Sequence, residues 1–149
     1  MARSYIGDDM EKNKEKVPKN GKGSNEIIMT NLKEEFNLWI EKADSDIKKV
    51  NVLMDAKQFD GALFYSQQAA EKALKALHIL KGFGLIKTHD LTSLCRRLKA
   101  PRNIILHAQF LNPFENSSRY PDKEEYLLNK ESAKDAIKST KEIIKWCKL

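Results

Sequence analysis

The stretch Phe59–Lys81, FDGALFYSQQAAEKALKALHILK, constrains the fold more than any other part of the 149-residue chain. Its apolar and small residues recur at three- and four-residue steps, which places them on one face of a helix. Much of that face is alanine, so a neighbouring helix can approach it closely. Glu71 and Lys75 lie on the other side, spaced i,i+4 in the favourable order. Asp60 suits the start of this helix, and Gly82 suits a left-handed residue at its end.

A second long helix is predicted just before this stretch, at Asn31–Met54. Asn31 and Glu34 form a capping-box pattern, and apolar residues follow at helical spacing. Because the link between the two predicted helices is short, we expect them to pack as an antiparallel hairpin. Trp39 lies on the apolar face, and we interpret it as a residue of the core or of a dimer interface.

Three shorter helices are predicted in the second half of the chain. Thr88 is placed to cap the first, Pro101 suits the first turn of the second at Arg102–Leu111, and Ser132 is placed to cap the third. The prolines in Asn112–Asp122 predict an irregular loop. No segment shows the alternation of a strand. The sequence therefore predicts an all-α fold, an up-down antiparallel bundle of about five helices.

Composition separates an N-terminal tail from a helical domain. Residues 1–30 are mostly polar and have no apolar period. The conformational entropy lost on ordering them therefore exceeds the free energy that they could gain by burying apolar surface. We expect a disordered tail at 1–30 and one helical domain at 31–149; a basic arm that folds on RNA and a short helix at Ser24–Met29 are the alternatives. The net charge of +6 and pI of about 9.2 permit nucleic-acid binding, but a solvated Lys/Glu-rich surface explains them equally well.

Location and cofactors are also constrained. The longest apolar runs are too short to cross a bilayer, and the N-terminus lacks the apolar segment of a secretory signal. We expect a cytoplasmic protein with no membrane contact. Cys95 and Cys147 match no zinc spacing, and the histidines at 78, 89 and 107 have no metal-ligand spacing. We therefore expect no metal and no cofactor, with both cysteines reduced and buried.

Three motifs occur in order: QQAAEKALKAL at residues 67–77, KTHDL at Lys87–Leu91 and SRYPD at Ser118–Asp122. From about Trp39 to the C-terminus their order and spacing resemble the HEPN domain family. The resemblance implies a HEPN bundle like that of nucleotidyltransferase substrate-binding subunits, a homodimer, and binding of a nucleotide or RNA. The alanine-rich face of the second helix also suits close helix pairing in a homodimer. It also implies a minimal nucleotidyltransferase as partner protein, as in toxin–antitoxin systems.

Arg119 is the first candidate for a contact with phosphate, because it lies in a proline-flanked loop beside Tyr120, which can stack or donate a hydrogen bond. An ion pair between Arg119 and a carboxylate such as Glu71 is an equally good interpretation. The second helix carries a polar row that can also meet a phosphate, although we favour a solvated or pairing face. The candidate phosphate-binding residues are Arg119, Tyr120, Lys72, Lys75, Gln68 and Glu71. His89 is interpreted as part of a capping and packing motif in preference to an acid–base group.

Arg102, Asn103 and His107 resemble the R-x4-6-H motif that serves metal-independent RNA cleavage in HEPN dimers. In that chemistry His107 is the general acid or base at the 2′-hydroxyl and Arg102 holds the scissile phosphate. Five residues of ideal helix turn by about 140°, so the two side chains share a face only if the helix starts irregularly or the arginine reaches back. An endoribonuclease is therefore the alternative to a binding module, and a purely structural dimerisation module is the third.

Overall fold

Five α-helices and one short 3₁₀ helix make up the part of the chain that the computed structural model describes, residues 22–116 and 128–149. The helices are α1 (Lys22–Asp55), α2 (Phe59–Leu80), α3 (Leu91–Arg97), α4 (Arg102–Leu111), the 3₁₀ helix (Asn112–Asn116) and α5 (Lys130–Cys147). These ranges contain no strand. The predicted all-α bundle of about five helices is therefore confirmed. None of the described helices has the length and apolar content that a membrane span requires.

α2 is the central helix of the bundle, because every other described helix contacts it. Its most extensive contact is with α1, which precedes it across a three-residue turn and packs against it as the predicted hairpin. The alanine face of α2 is fully buried in this packing, and Trp39 of α1 is buried in the same core. Since small side chains fill the contacts around α2, the helices approach closely within one chain.

The hairpin turn depends on two backbone features. Lys57 adopts the left-handed conformation, with φ 58°. Gly61, in the first turn of α2, faces Leu53 of α1 so closely that a Cβ at Gly61 would lie 3.2 Å from Leu53 Cδ1. The missing side chain at Gly61 therefore lets α1 and α2 converge directly after the turn.

α5 covers another side of α2 and is linked to it by a buried hydrogen bond. The Thr140 hydroxyl donates to the Ser66 carbonyl oxygen at 2.8 Å. Cys147 of α5 and Cys95 of α3 are buried free thiols, as predicted. Burial raises the pKa of Cys95 to about 12 and also raises the pKa of Cys147. Both groups thus behave as small apolar core residues that stay protonated.

The first helix starts earlier than predicted, because α1 begins at Lys22 and not at Asn31. Asn31 therefore lies inside a helix and does not cap it. Each residue added to an existing helix gains a backbone hydrogen bond, and residues 24–30 contain neither glycine nor proline to stop that extension. Thr30 is satisfied within the helix, since its hydroxyl donates to the Glu26 carbonyl at 2.9 Å. Residues 1–21 of the predicted tail lie outside the described residues.

Several predicted caps are displaced by a few residues. The N-cap of α3 is Asp90 and not Thr88, and the N-cap of α5 is Asn129 and not Ser132, whose amide donates to the Asn129 side chain at 2.9 Å. Pro101 is the N-cap of α4 and so lies just before its first turn. Asp90, Asn129 and Pro101 each have the extended backbone of an N-cap.

The end of α2 is fixed by the predicted glycine and by a buried histidine. Gly82 has φ +81°, the left-handed conformation expected there. His78 is buried; its Nδ1 lies 2.6 Å from the Gly84 carbonyl oxygen, and Arg97 Nε donates to its Nε2 at 3.1 Å. Because Nε2 accepts, the ring proton is on Nδ1 and is donated to Gly84. His78 thereby connects α2, the following loop and α3.

Candidate functional site

A buried ion pair lies on α2, where the sequence favoured a solvated or pairing face. Glu71 is 5% exposed and Lys75 is 3% exposed, and Lys75 Nζ lies 3.0 Å from Glu71 Oε2. The predicted i,i+4 pairing is therefore present, but it is in the interior. Such a pair is costly to desolvate unless further hydrogen bonds satisfy it. Its surroundings provide those hydrogen bonds.

His89 and Gln67 complete the coordination of this buried carboxylate. His89 Nδ1 lies 3.0 Å from Glu71 Oε1 and 3.2 Å from Oε2, and Gln67 Nε2 lies 3.5 Å from Oε1. Gln67 Nε2 also contacts the His89 carbonyl at 3.4 Å. We call Gln67, Glu71, Lys75 and His89 the Glu71 cluster. It joins the middle of α2 to the loop before α3, over 18 residues of sequence.

His89 is the one half-exposed member of the cluster, with 49% of its side chain accessible. When Nδ1 donates to the Glu71 carboxylate, the other ring nitrogen, Nε2, remains available to solvent or to a ligand. No residue within 22–116 or 128–149 hydrogen-bonds that nitrogen. An imidazole oriented by a carboxylate can exchange a proton or, when protonated, donate to an anion. His89 thus has an environment that the interpretation as a capping residue did not foresee.

The start of α3 is fastened beside His89 by a second polar group. Asp90 Oδ1 accepts from the Thr92 amide at 3.0 Å and from the Thr92 hydroxyl at 2.7 Å. Asn112, the first residue of the 3₁₀ helix, donates to Asp90 Oδ1 and accepts from the Leu91 amide, both at 2.8 Å. The hydrogen bond from the Thr92 side chain, with others from Asn112 and the backbone, holds the pKa of Asp90 below its usual value. The 3₁₀ helix therefore starts next to His89.

The other lysine predicted to meet a phosphate also has a carboxylate partner. Lys72 is paired with Asp46 of α1, whose other oxygen lies 3.4 Å from Lys49 Nζ. Gln68 donates to the Gln67 side chain at 2.8 Å. Since Lys72 and Lys75 both neutralise buried carboxylates, the polar side chains of α2 form ion pairs within the described part of the chain. Arg119 and Tyr120 lie outside the described residues, so their placement stays a prediction.

The residues of the R-x4-H motif all lie on α4. Arg102 and Asn103 are exposed in its first turn, and His107 is half-buried, with Nδ1 2.9 Å from the Ser139 hydroxyl of α5. The helix starts regularly, because the Ile105 amide already donates to the Pro101 carbonyl at 3.1 Å. Arg102 and His107 are then separated by about 140° around α4. One protomer does not bring them to the same face.

Metal ligands are not assembled in residues 22–116 and 128–149, where no group of three or more His, Cys, Asp or Glu side chains is arranged to hold an ion. The contact between His89 and Glu71 was not foreseen from the sequence, because the two residues are distant in the chain. The only sequence signal was a histidine in the loop directly before a helix, and that signal fits capping equally well.

The class defined by these observations is an all-α bundle built on an antiparallel hairpin, with a buried ion-pair cluster on its central helix. A family model described as HEPN domain matches residues 36–149. The chain therefore belongs to the HEPN domain family, as the three sequence motifs indicated.

Comparisons with individual proteins agree with this assignment. The protein named "Putative toxin MJ1304" from Methanocaldococcus jannaschii is 31% identical over 61 residues, or 41% of this chain and 40% of that protein. The match thus spans less than half of that relative. The crystal structure of TT1696 from Thermus thermophilus has a TM-score of 0.71 at 23% identity, covering 76% of this chain and 96% of that chain, and supports the fold alone. ST0689, described as an archaeal HEPN homologue, has a TM-score of 0.67 at 29% identity, with 76% and 95% covered.

Proposed function

We propose that this HEPN protein binds the phosphate of a nucleotide or RNA at the surface that His89 presents. The observation that supports this most is the contact of His89 with the buried Glu71 carboxylate at 3.0 Å, in a side chain that remains half-exposed. Lys75 neutralises Glu71, so protonation of His89 gives the cluster one net positive charge. A protonated ring fixed through Nδ1 then directs its Nε2 proton to an anion.

Arg119 and Tyr120 are the further ligands in this proposal. The segment that contains them follows the 3₁₀ helix, whose first residue, Asn112, is hydrogen-bonded to the residue after His89. A guanidinium binds phosphate bidentately, and a tyrosine ring can stack on a base. Gln68 adds a polar side chain on the adjacent turn of α2. Lys72 and Lys75 act by holding the carboxylates in place and do not contact the ligand.

Nucleotide binding tests this proposal directly. Fluorescence anisotropy with a labelled ATP analogue is measured for Arg119→Ala and His89→Gln, with Arg96→Ala, at an exposed arginine of α3, as the control. Loss of a charge-assisted hydrogen bond costs about 1.5–3 kcal/mol, or roughly a ten- to hundredfold loss in affinity. Equal affinities for Arg119→Ala, His89→Gln and Arg96→Ala would rule out the site.

The proposed biological role is that of a toxin–antitoxin-like pair with a minimal nucleotidyltransferase partner, inside the cytoplasm. Two observations support it: membership of the HEPN family and the toxin name of the partial relative from Methanocaldococcus jannaschii. We expect the chain to co-purify with a nucleotidyltransferase encoded by a neighbouring gene and expect that protein to relieve any growth arrest. Growth arrest that persists during co-expression, without co-purification, would contradict this role.

A metal-independent endoribonuclease is the second candidate, favoured by the orientation of His107. Ser139 fixes one ring nitrogen of His107, which leaves the other for acid–base work. Because Arg102 lies about 140° away on α4, a combined centre needs a second protomer. Leu106 and Phe110 are 51% and 37% exposed on α4 and offer an apolar surface for a homodimer. The alanine face of α2 offers no surface for a homodimer, since it is buried within the chain.

RNA cleavage separates the two candidates. The endoribonuclease predicts cleavage in EDTA by the full chain, loss of cleavage in His107→Ala with unchanged circular dichroism, and rescue when Arg102→Ala and His107→Ala subunits are mixed. Nucleotide binding without cleavage supports the binding module. A chain that dimerises but neither binds nor cleaves is the structural module.

A further inference from the structure

α5 carries a row of lysines along its whole length. They follow each other at steps of four, four, three, four and three residues, which keeps all of them within an arc of about 80° around the helix axis. Every one is exposed. The members of this lysine row are Lys130, Lys134, Lys138, Lys141, Lys145 and Lys148.

The carboxylates of α5 lie outside this row. They lie together at about 100–140° on the same helical wheel, beside the lysines and not among them. Among the described residues the row takes part in a single ion pair, Lys148 Nζ to Asp44 of α1 at 3.8 Å. Because six lysines face the three carboxylates of α5 and Asp44, this surface keeps a net positive charge, and its lysines are more exposed than Lys72 and Lys75 of α2. The excluded carboxylates are Glu131, Asp135 and Glu142.

The row borders a groove between α5 and α1. Lys141, Lys145 and Lys148 form one side of the groove, and Ile47 of α1 and Ile144 of α5 give it an apolar lining. One carboxylate, Asp44 of α1, also lines it and pairs with Lys148. A ligand that fits must present a line of negative charges together with apolar surface. A nucleic-acid strand has both, in its phosphates and in its base faces.

We propose that the lysine row binds the backbone of a single-stranded RNA laid along α5. The row is about 27 Å long, because consecutive helix residues rise by about 1.5 Å. A stacked strand has one phosphate per about 3.4 Å, so about eight phosphates face the row. One lysine per helical turn over that length matches a regular polyanion better than it matches the irregular charges of an acidic protein. The inference rests on the proposed function only for the choice of RNA over DNA.

The salt dependence of binding tests this surface. Six phosphate contacts with a single strand give a slope of log K against log[salt] of about −4. Lys134→Gln/Lys138→Gln/Lys141→Gln removes three contacts, so we expect a slope shallower by about 2 and, at about 0.15 M salt, roughly fiftyfold weaker binding. The probe is fluorescein-labelled oligouridylate of about twelve nucleotides, and a tetranucleotide should bind with a shallower slope because it spans less of the row.

A matched variant controls for net charge. Lys33→Gln/Lys81→Gln/Lys99→Gln removes the same charge from exposed positions outside α5 and should leave both slope and affinity nearly unchanged. Equal losses in the two triple variants, or an unchanged slope in the α5 variant, would overturn the proposal. Polyglutamate that binds as tightly as the RNA and loses affinity equally in the α5 variant would identify an acidic protein as the ligand instead.

The same variants distinguish this surface from the nucleotide site. The α5 triple variant should bind the labelled ATP analogue as the unchanged chain does, while Arg119→Ala should keep the dependence of RNA binding on strand length. Loss of nucleotide affinity in the α5 variant would refute a separate surface. Failure of Arg119→Ala to affect nucleotide binding would refute the nucleotide site and leave the lysine row standing.

Discussion

Removal of the Glu71 carboxylate is the perturbation that the structure defines most sharply. Glu71→Ala leaves the Lys75 ammonium 3% exposed, in the interior of the bundle, with no counterion on the adjacent turn. It also removes the acceptor for His89 and Gln67. The variant therefore creates a buried unpaired charge, which is among the most destabilising changes a single substitution can make.

The expected size follows from that burial. Breaking a buried ion pair by deleting one partner costs about 3–5 kcal/mol. In a domain of this size each kcal/mol lowers the melting temperature by about 2–4 °C, so Tm should fall by about 6–20 °C. Lys75→Ala should cost less, because the Glu71 carboxylate keeps its contacts with His89 and Gln67.

Urea unfolding followed by circular dichroism measures these free energies. The double variant Glu71→Leu/Lys75→Leu should recover most of the loss, since apolar residues of similar volume replace a buried pair at little or no cost. Glu142→Ala, at an exposed carboxylate of α5, is the control and should change stability by less than about 0.5 kcal/mol. A loss below about 1 kcal/mol in Glu71→Ala would refute the reasoning, because the pair would then be solvated.

Two further predictions concern the caps and the thiols. Asp90→Ala removes the N-cap of α3 and its bond to Asn112, and should destabilise by about 1–2 kcal/mol in urea unfolding. Folding lowers the pKa of Asp90, so the stability that its carboxylate contributes is present above the pKa of the unfolded chain and is lost as the pH falls through the folded pKa. The difference in unfolding free energy between the unchanged chain and Asp90→Ala should therefore close below about pH 4. A difference that does not depend on pH would contradict this prediction. Cys95, with a pKa raised to about 12, should react with iodoacetamide at about pH 8 only after unfolding, and rapid labelling of the native chain would contradict its burial.

Predictions from local periodicity were the most successful. The apolar and alanine spacing around Phe59–Leu80 predicted the central helix, and the interval Arg102–Leu111 was predicted with its actual bounds. Gly82 was correctly expected in a left-handed conformation. Helix starts were less accurate, since Asp90 and Asn129 took the roles expected of Thr88 and Ser132. Several neighbouring residues can cap a helix, and the path of the incoming chain selects among them.

The sequence by itself determined the helical class, the hairpin and the family, because these follow from spacings of three, four and a few residues within single segments. The tertiary structure alone decided which charged residues are inside. Glu71 and Lys75 are as polar as any surface pair, yet the side of α2 that carries them is covered by the loop that delivers His89. A helical wheel ranks faces by polarity, whereas burial depends on where distant segments pack. The lysines of α5 remain exposed because no described element packs over them.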